Sequence, residues 1–351
     1  MTLTEIALYR LISQQLSGTR IKSAAEMVEW FGAVQGQEYA PTKWGLGLRL
    51  PHLTDTDIES ELNEGKILRT HLLRPTWHFV SASDIRWLLR LTAPRVHQAN
   101  AFMYRKLELD DKIFNRCNDI IIENLQGGKH LTREEISKEL AKNSIPANGH
   151  RLSYIMMNAE LEGIICSGAK QGNQFTYALL DERAGRGSSP EKDEALTELT
   201  IRYFRSRSPA TVKDFATWSG LTITDCKRGI EIAKPLLQKE IIDRQEYYSD
   251  AGASFQDKQR DKIHLLPVYD EFIMGYKDRS AMMTLKGASP FRYDSMIISG
   301  GQVIGTWRRT LLKNAINMEL DLFKPLNKAQ SRAYDEVVNR FSEFMKLKVN
   351  S

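Results

Sequence analysis

Residues 131–179 read LTREEISKELAKNSIPANGHRLSYIMMNAELEGIICSGAKQGNQFTYAL, and their pattern decides the fold class. Thr132 and Glu135 stand three residues apart in front of an apolar run, which is the spacing of a helix-capping box. A polar turn follows this predicted helix and precedes a second one, and a glycine-containing turn joins two β-rich runs. The predicted helices cover 131–142 and 150–162, and the predicted strands cover 164–167 and 174–179. The order helix, turn, helix, hairpin predicts a winged helix.

The same order of elements recurs on both sides of this stretch. Upstream, helices are predicted to begin near Thr4, Lys22 and Thr54, and strands are predicted over 67–73 and 76–81. Downstream, helices are predicted to begin near Glu191, Ser208 and Thr224, and strands are predicted near Ile241 and Tyr247. Spacings of roughly 80 residues are too long for a solenoid repeat and indicate tandem domains.

The C-terminal part of the chain has a different pattern. The pair Gly300–Gly301 between two β-rich runs predicts a hairpin. Strands are predicted over 263–268, 295–299, 302–308 and 319–323, and a closing helix over 328–346. The predicted fold class is α+β, mainly helical, with three tandem winged-helix units and a small β-rich C-terminal part. The predicted domains are residues 1–108, 109–185, 186–260 and 261–351.

Charge indicates the kind of partner. The 351 residues carry a net charge of +5, and between Arg74 and Lys106 six basic residues accompany one acid, Asp84. Such a local excess suits a polyanion, although a solvated helix face has the same composition. The three cysteines are far apart and odd in number, which indicates a reducing compartment. Because no signal peptide or membrane span is visible, we expect a cytoplasmic protein that has no contact with a membrane.

Several enzyme signatures are absent from the sequence. There is no P-loop, no HExxH motif, no GxSxG nucleophile elbow and no cysteine or histidine spacing typical of zinc sites. Gly45-Leu46-Gly47 is a lone GxG, which is too little for dinucleotide binding. We therefore predict that the protein uses no cofactor and no metal.

Several short motifs follow one another in a specific order along the chain. They are VQGQEY at 34–39, LRPTWHF at 73–79, PATVKDFATWSGL at 209–221, LLPVYDEF at 265–272 and VIGTWRR at 303–309. In order and spacing these motifs resemble the AlkZ-like winged-helix DNA glycosylases of alkylpurine and interstrand-crosslink repair. The resemblance covers nearly the whole chain, from Leu8 to Arg309.

The resemblance implies three winged-helix units around a DNA channel, with Gln35 and Gln37 as the catalytic residues. Relatives specialised for other lesions carry an acid at the second position, so Gln37 indicates the glutamine-type branch. Family members usually have an aliphatic residue between the two glutamines, where this chain has Gly36. This departure bears on how both side chains are held, because glycine adds backbone freedom.

The chemistry of the expected substrate explains why glutamines suffice. Alkylation at N7 makes a purine cationic and therefore a good leaving group without protonation. A neutral amide has one acceptor and two donors, so it can hold a water molecule beside C1′ without acting as a strong base. Taken alone, Gln35-Gly36-Gln37 is interpreted as a polar turn between helices, and with the resemblance we favour catalysis.

Basic and polar side chains near these motifs are candidate contacts to DNA: Arg74, His78, Lys170, Arg279, Arg308 and Arg309. Adjacent arginines on a strand point to opposite faces, so one of Arg308 and Arg309 is expected to face DNA. Structural ion pairs are the alternative role for each arginine, and Asp270 is expected to be structural or an arginine partner. The turns at 171–173 and 300–301 are the two hairpin tips considered for insertion into a groove.

We expect a monofunctional DNA glycosylase that hydrolyses the N-glycosidic bond of N7-alkylated or crosslinked purines in duplex DNA. No lysine is tied to the glutamine motif, so no Schiff-base lyase step is predicted. The alternative is a winged-helix DNA-binding protein without catalysis, such as a transcription regulator. Regulators tend to be dimers, whereas three units in one chain suit a monomer that acts at the nucleoid.

Overall fold

A computed structural model describes residues 1–185, 190–252, 262–283 and 294–350 of the chain. The helices of its first part are α1 (Leu3–Ser13), α2 (Ala24–Phe31), α3 (Tyr39–Arg49), α4 (Asp55–Asn63), α5 (Ile85–Lys106) and α6 (Asp111–Leu125). The strands among these helices are β1 (Val34–Gln35), β2 (Ile67–Leu72) and β3 (Thr76–Ser81).

The middle of the chain continues the alternation of helices and short strands. Its first elements are β4 (Leu131–Thr132), α7 (Arg133–Lys142), α8 (Gly149–Leu161), β5 (Ile165–Ser167), β6 (Thr176–Leu179) and α9 (Leu180–Arg183). The next elements are α10 (Lys192–Ser206), α11 (Val212–Ser219), α12 (Ile223–Ala233), β7 (Leu237–Ile242) and β8 (Gln245–Asp250).

The C-terminal part is rich in strands. Its elements are β9 (Ile263–Leu266), α13 (Glu271–Met274), β10 (Met296–Ser299), β11 (Gln302–Leu311), β12 (Ala315–Leu322), α14 (Lys328–Met345) and β13 (Lys348–Asn350). The five strands form one sheet in the order β13-β12-β11-β10-β9, and the pairs are antiparallel except for the parallel pair of β12 and β13. Helix α14 packs on this sheet, where the ring of Phe341 lies 5.6 Å from that of Trp307.

The order helix, strand, helix, helix and two strands occurs twice, and it occurs a third time with the first strand reduced to a single bridge. Unit 1 consists of α2, β1, α3, α4, β2 and β3, and unit 2 of α6, β4, α7, α8, β5 and β6. In both units the first strand pairs with the third, which gives the sheet orders β1-β3-β2 and β4-β6-β5. Unit 3 consists of α10, α11, α12, β7 and β8, and a single bridge between Ala210 and Tyr248 stands in place of its first strand.

Local signals predicted most of these elements. Thr132 and Glu135 form the predicted capping box at the start of α7, so this prediction is confirmed. Two predicted caps are wrong by two residues, because Thr2 rather than Thr4 caps α1 and Thr222 rather than Thr224 caps α12. In both cases an acid three residues after the true cap completes or supports the motif, as in the pair Thr2 and Glu5.

Helix α3 was not predicted, because two glycines lower its intrinsic helix propensity. Tertiary packing supplies the reason for the second of them. A Cβ atom at Gly47 would lie 2.3 Å from the ring of Phe344 on α14, so the helix needs glycine to approach α14 closely. The indole of Trp44 on the same helix donates a hydrogen bond to the Leu265 carbonyl of β9 at 2.7 Å. Helix α3 therefore connects unit 1 to the C-terminal sheet.

The buried apolar residues form several clusters. The cluster of unit 2 is drawn from residues 109–179 alone, whereas two other clusters combine residues of unit 1 with residues beyond 260. The proposed division into four domains stays a prediction, and its boundaries at 186 and 260 lie outside the described residues. Across the described ranges, no stretch of helix has the length and apolar character that a bilayer crossing requires.

Candidate active site

The glutamine motif lies between β1 and α3 in unit 1. Strand β1 pairs with β3, which places Gln35 opposite His78, and the Gly36 N–H donates to the Trp77 carbonyl at 2.7 Å. Gly36 is buried, and a Cβ atom there would lie 2.9 Å from the ring of Phe79. The ring of Phe79 thus occupies the space that an aliphatic residue at position 36 needs, which accounts physically for the glycine in this chain.

Hydrogen bonds anchor Gln35 at both its backbone and its side chain. Its N–H donates to Glu271 Oε1 at 2.8 Å, and its Oε1 accepts from Arg74 Nη2 at 3.0 Å. Arg74 Nη1 also donates to the Thr217 carbonyl at 3.1 Å and to the Trp218 carbonyl. The guanidinium of Arg74, predicted as a phosphate contact, thus already serves these protein acceptors around Gln35.

A buried ion pair lies behind Gln35. Glu271 Oε2 accepts from Arg207 Nη2 at 2.6 Å and from Trp218 Nε1 at 3.0 Å, and neither member of the pair is more than 1% exposed. Arg207 also donates to the carbonyls of Phe31 at 2.9 Å and Ala33 at 3.1 Å. The donors around Glu271 satisfy its charge, as burial of a carboxylate requires. This pair joins units 1 and 3 to helix α13 directly behind the glutamine motif.

A second buried pair lies beside the first. Arg49 of α3 binds both carboxylate oxygens of Asp270 at 2.8 Å, and both side chains are 2% exposed. Asp270 also accepts from the Phe272 N–H at 2.8 Å and so caps α13. The prediction that Asp270 is an arginine partner is confirmed.

Gln37 has open surroundings. Its side chain is exposed, and its Oε1 accepts a long hydrogen bond from the Trp77 N–H at 3.4 Å. Arg69 holds the backbone beneath it, since Nε donates to the Gly36 carbonyl at 3.0 Å and Nη2 to the Gln37 carbonyl at 3.2 Å. The guanidinium carbon of Arg69 lies 4.3 Å from the ring centre of Trp77. Gln37 therefore has a backbone held by Arg69 and a solvent-exposed side chain.

Beside Gln37 lies a group of cations and rings that we call the cation–aromatic cluster, made of Tyr39, Arg69, Trp77, Lys170 and Phe175. Lys170 Nζ lies 5.2 Å from the ring centre of Tyr39 and 3.6 Å from Glu59 Oε1. Burial raises the pKa of Tyr39, so its hydroxyl stays protonated and donates to Glu59 at 3.0 Å. Phe175 is 44% exposed, and the cavity within the cluster measures only about 30 Å³. The cluster is therefore a surface rather than a deep pocket.

His78, a predicted DNA contact, is instead buried in the sheet of unit 1. Its exposure is 0%, and its Nδ1–H donates to the Thr76 carbonyl at 2.9 Å. Its Nε2 has no hydrogen-bond partner among the described residues. Burial first, and then the nearby Arg74 guanidinium, holds the pKa of His78 well below its ordinary value. The neutral ring has no surface to offer to DNA and instead supports the strand opposite Gln35.

Three further basic candidates belong to the C-terminal part of the chain. Arg279 is half-buried, and its Nε donates to the Ile273 carbonyl at 3.1 Å. Arg308 is exposed on β11, whereas the guanidinium carbon of Arg309 lies 5.4 Å from the ring centre of Phe341 on α14. The two neighbouring arginines thus point to opposite faces of the strand, and the face of Arg308 is the one without the closing helix.

The two hairpin tips differ in accessibility. Residues 171–173, between β5 and β6, are exposed. Gly301 is buried instead, and a Cβ atom there would lie 2.8 Å from the backbone carbonyl carbon of Ala7 on α1. The tip at 300–301 packs against the N-terminal helix, so this candidate for groove insertion is wrong.

Sequence reasoning missed the residues that hold the motif in place. Glu271 is 236 residues from Gln35, and no local signal connects the two. Arg69 and Phe175 are far apart in sequence and are brought together by the fold. The guanidinium carbon of Arg69 lies 5.1 Å from the ring centre of Phe175. The strand predicted over 67–73 placed Arg69 on a sheet but gave no sign of its contacts with backbone carbonyls.

Comparison with known proteins shows the family to which the chain belongs. Residues 28–344 match the family model described as DNA glycosylase AlkZ-like. An interstrand DNA cross-link repair glycosylase of Streptomyces sahachiroi is 23% identical, with 86% of each chain covered. The solved structure of the Streptomyces sahachiroi DNA glycosylase AlkZ matches with a TM-score of 0.80 at 19% identity, covering 100% of this chain and 99% of that one. With its family model matched from α2 to α14, the chain belongs to the AlkZ-like family of DNA glycosylases.

Proposed function

We propose that this chain is a monofunctional DNA glycosylase that hydrolyses the N-glycosidic bond of N7-alkylated or crosslinked purines in duplex DNA, with Gln35 and Gln37 as its catalytic residues. The observation that carries the proposal is the glutamine motif itself, in which Gln35 is anchored and Gln37 is exposed beside cationic side chains. Membership of a DNA glycosylase family supports the same conclusion. The relative named for interstrand cross-link repair supports crosslinked purines as a substrate class.

The chemistry of the lesion fits neutral catalytic groups. An N7-alkylated purine leaves as a neutral base, so the leaving group needs no acid. The enzyme has to hold a water molecule near C1′ and stabilise a sugar that becomes cationic. A hundredfold increase in rate requires a barrier that is lower by about 3 kcal/mol. Positioning of the reacting groups can supply free energies of this size. Two amides held by an ordered scaffold are sufficient for that task.

The architecture supports DNA as the substrate. We propose that the three repeated units are winged helices arranged around a DNA channel, since each has the element order of that fold. Lys170, Arg279 and Arg308 are the proposed backbone contacts that keep some exposed surface. Arg74 and His78 are proposed to support the glutamine motif, and Arg309 to support the closing helix. Monomeric action at the nucleoid also belongs to this proposal.

A time course of base release tests the activity. Purified protein is incubated with duplex DNA that carries one N7-methylguanine or one N7-linked crosslink, beside a glycosylase known to act on the same DNA. We expect release of the modified base and abasic sites that remain uncleaved until alkali is added. Binding to DNA without release, where the control enzyme works, would indicate a DNA-binding protein without catalysis.

The monofunctional part of the proposal has its own readout. Lys170 is the lysine of the cation–aromatic cluster, and its ammonium lies 3.6 Å from Glu59 Oε1. A Schiff-base intermediate is trapped on DNA by borohydride, whereas direct hydrolysis by water leaves nothing to trap. We expect no covalent complex. A trapped complex that disappears in Lys170→Ala would replace hydrolysis by a lyase mechanism.

A further inference from the structure

The two glutamines have different hydrogen-bonding surroundings, although they stand two residues apart. Gln35 Oε1 accepts from a charged donor, Arg74 Nη2, at 3.0 Å. Gln37 Oε1 accepts from a neutral donor, the Trp77 N–H, at 3.4 Å, which is beyond the usual range of a strong hydrogen bond. Gln35 is 5% exposed, whereas Gln37 is an exposed residue. The first amide is therefore fixed and the second is adjustable.

The contact with Arg74 determines which end of the Gln35 amide faces it. A guanidinium only donates hydrogen bonds, so the atom of Gln35 that meets Arg74 has to be the oxygen. The orientation of an amide is often ambiguous, and here the charge of its partner resolves it. The Nε2 of Gln35 donates to no protein acceptor in the part of the chain that the structure describes. Gln35 thus presents two N–H donors and keeps its oxygen occupied.

Arg74 is itself held from another unit of the protein. Its Nη1 donates to the carbonyls of Thr217, at 3.1 Å, and Trp218, both in α11 of unit 3. Backbone carbonyls at the end of a helix do not move independently of the fold. The orientation of the Gln35 amide is consequently set by the packing of unit 3 against unit 1.

We infer that the two glutamines have opposite roles, with Arg74 fixing Gln35 as a hydrogen-bond donor and Gln37 supplying the acceptor for the attacking water. This inference rests on the proposed function. In the step, the water oxygen bonds to C1′ while the C1′–N9 bond breaks, and the bonding electrons pass to N9 and neutralise the alkylated base. One proton of the water leaves to solvent. The water needs an acceptor for its hydrogen as it attacks, and Gln37 has an oxygen available for this purpose.

The two N–H donors of the Gln35 side chain are not needed by the attacking water and require another acceptor. A hydrogen bond to the ring oxygen of the sugar would withdraw electrons from the developing cation and slow the reaction. The phosphodiester next to the lesion is anionic and accepts such hydrogen bonds readily. Gln35 is therefore assigned to a phosphate oxygen beside the lesion, and Arg74 is a positioning residue that acts through Gln35.

A pair of mirror substitutions tests this assignment. Gln35→Glu and Gln37→Glu each replace an amide by a carboxylate of the same shape, which accepts but does not donate. Base release from N7-methylguanine DNA is followed in single turnover with saturating enzyme, so that weaker binding does not enter the rate. We expect Gln37→Glu to stay within about tenfold of the wild-type rate and Gln35→Glu to fall by roughly a hundredfold. Equal rates for the two variants, or the reverse order, would overturn the assignment.

A double-mutant cycle tests the role of Arg74. If Arg74 acts through Gln35, then Arg74→Met slows base release in the wild type and causes no further loss in a Gln35→Met protein. Arg340→Met is the matched control, because Arg340 likewise donates to backbone carbonyls, those of Gly47, Leu50 and Leu53. We expect this control to lower unfolding stability without changing the single-turnover rate. Fully additive losses for Arg74 and Gln35 would reduce Arg74 to a structural role.

The outcomes for the inference and for the proposed function are separable. If the wild type releases no base, the proposed function fails before the glutamines are compared. If the wild type is active and the two glutamate variants behave alike, only the division of roles fails. Circular dichroism of each variant shows whether it is folded. We expect Gln35→Glu to fold, because Arg74 can pair with the new carboxylate.

Discussion

The junction between the first strand and the following helix is built differently in units 1 and 2. In unit 2, β4 ends at Thr132 and α7 begins at the next residue. Thr132 Oγ1 accepts from the Glu135 N–H at 3.3 Å, and the Glu135 carboxylate accepts from the Thr132 N–H at 2.7 Å. In unit 1, residues 36–38 separate β1 from α3, and the N-cap residue Glu38 makes no side-chain capping bond.

The difference shows where tertiary contacts take the place of a local helix cap. The junction of unit 2 satisfies its own backbone within four residues, whereas the junction of unit 1 depends on Glu271, Arg74 and Arg69 from elsewhere in the chain. Functional sites are the places where proteins depart from local rules and compensate through tertiary contacts. Gln35 ends the strand before this junction of unit 1, and Gln37 lies within the junction.

The largest effect is expected from breaking the distant support of unit 1. Glu271→Ala removes the partner of Arg207 and leaves its buried charge uncompensated. Breaking a buried pair in this way costs about 3–5 kcal/mol of unfolding free energy. Urea unfolding measures the loss, and Glu246→Ala is the matched control, since its pair with Lys239 is solvent-exposed. We expect the control to leave the unfolding free energy nearly unchanged, because solvent screens an exposed ion pair. A similar small cost for Glu271→Ala would show that the junction does not depend on this pair.

A smaller effect is expected from crowding the centre of the motif. Gly36→Ala places a methyl group 2.9 Å from the ring of Phe79, and such overpacking costs about 1–3 kcal/mol. Gly185→Ala is the control, because a Cβ atom there meets no atom of the described residues within 4 Å. In a Phe79→Leu background the cost of Gly36→Ala should decrease, since the smaller side chain makes room. If the stability losses of Gly36→Ala and Phe79→Leu simply add in the double variant, position 36 does not contact the Phe79 ring in solution.

The caps themselves give the direct comparison of the two junctions. Thr132→Ala should lower the unfolding free energy by about 1 kcal/mol, the usual value of an N-cap. Glu38→Ala should change it by less than about 0.5 kcal/mol, as for ordinary surface positions. Thermal or urea unfolding of both variants is sufficient. Equal losses would mean that Glu38 caps α3 in solution, and the contrast between the junctions would disappear.

These residues also show which parts of the fold and of the candidate site could be predicted from the sequence. The junction of unit 2 was predicted correctly because Thr132 and Glu135 are neighbours in sequence. Helix α3 was not, because Gly47 is explained only by Phe344, which packs against it from the other end of the chain. Family resemblance made Gln35 and Gln37 the candidate catalytic residues, whereas burial of His78 and the hydrogen bonds of Arg74 required the tertiary structure.

The smallest effect concerns the open side of the motif. Lys170→Ala should leave stability nearly unchanged, because its contact with Glu59 is long at 3.6 Å. If its ammonium contacts a phosphate, the slope of log affinity against log salt concentration should become shallower by about 1. Lys142→Ala, an exposed lysine at the end of α7, serves as the control. Identical salt slopes for the two variants would remove Lys170 from the DNA surface.

The most direct measurement of the central claim is the single-turnover rate of base release by Gln37→Ala. Gln37 is exposed and its side-chain hydrogen bond is long, so its loss should affect neither folding nor the general affinity for DNA. We predict a rate at least about a hundredfold below the wild type, equivalent to roughly 2.7 kcal/mol of barrier, with unfolding stability unchanged. A rate equal to that of the wild type, or a loss of rate that follows a loss of folding, would contradict it.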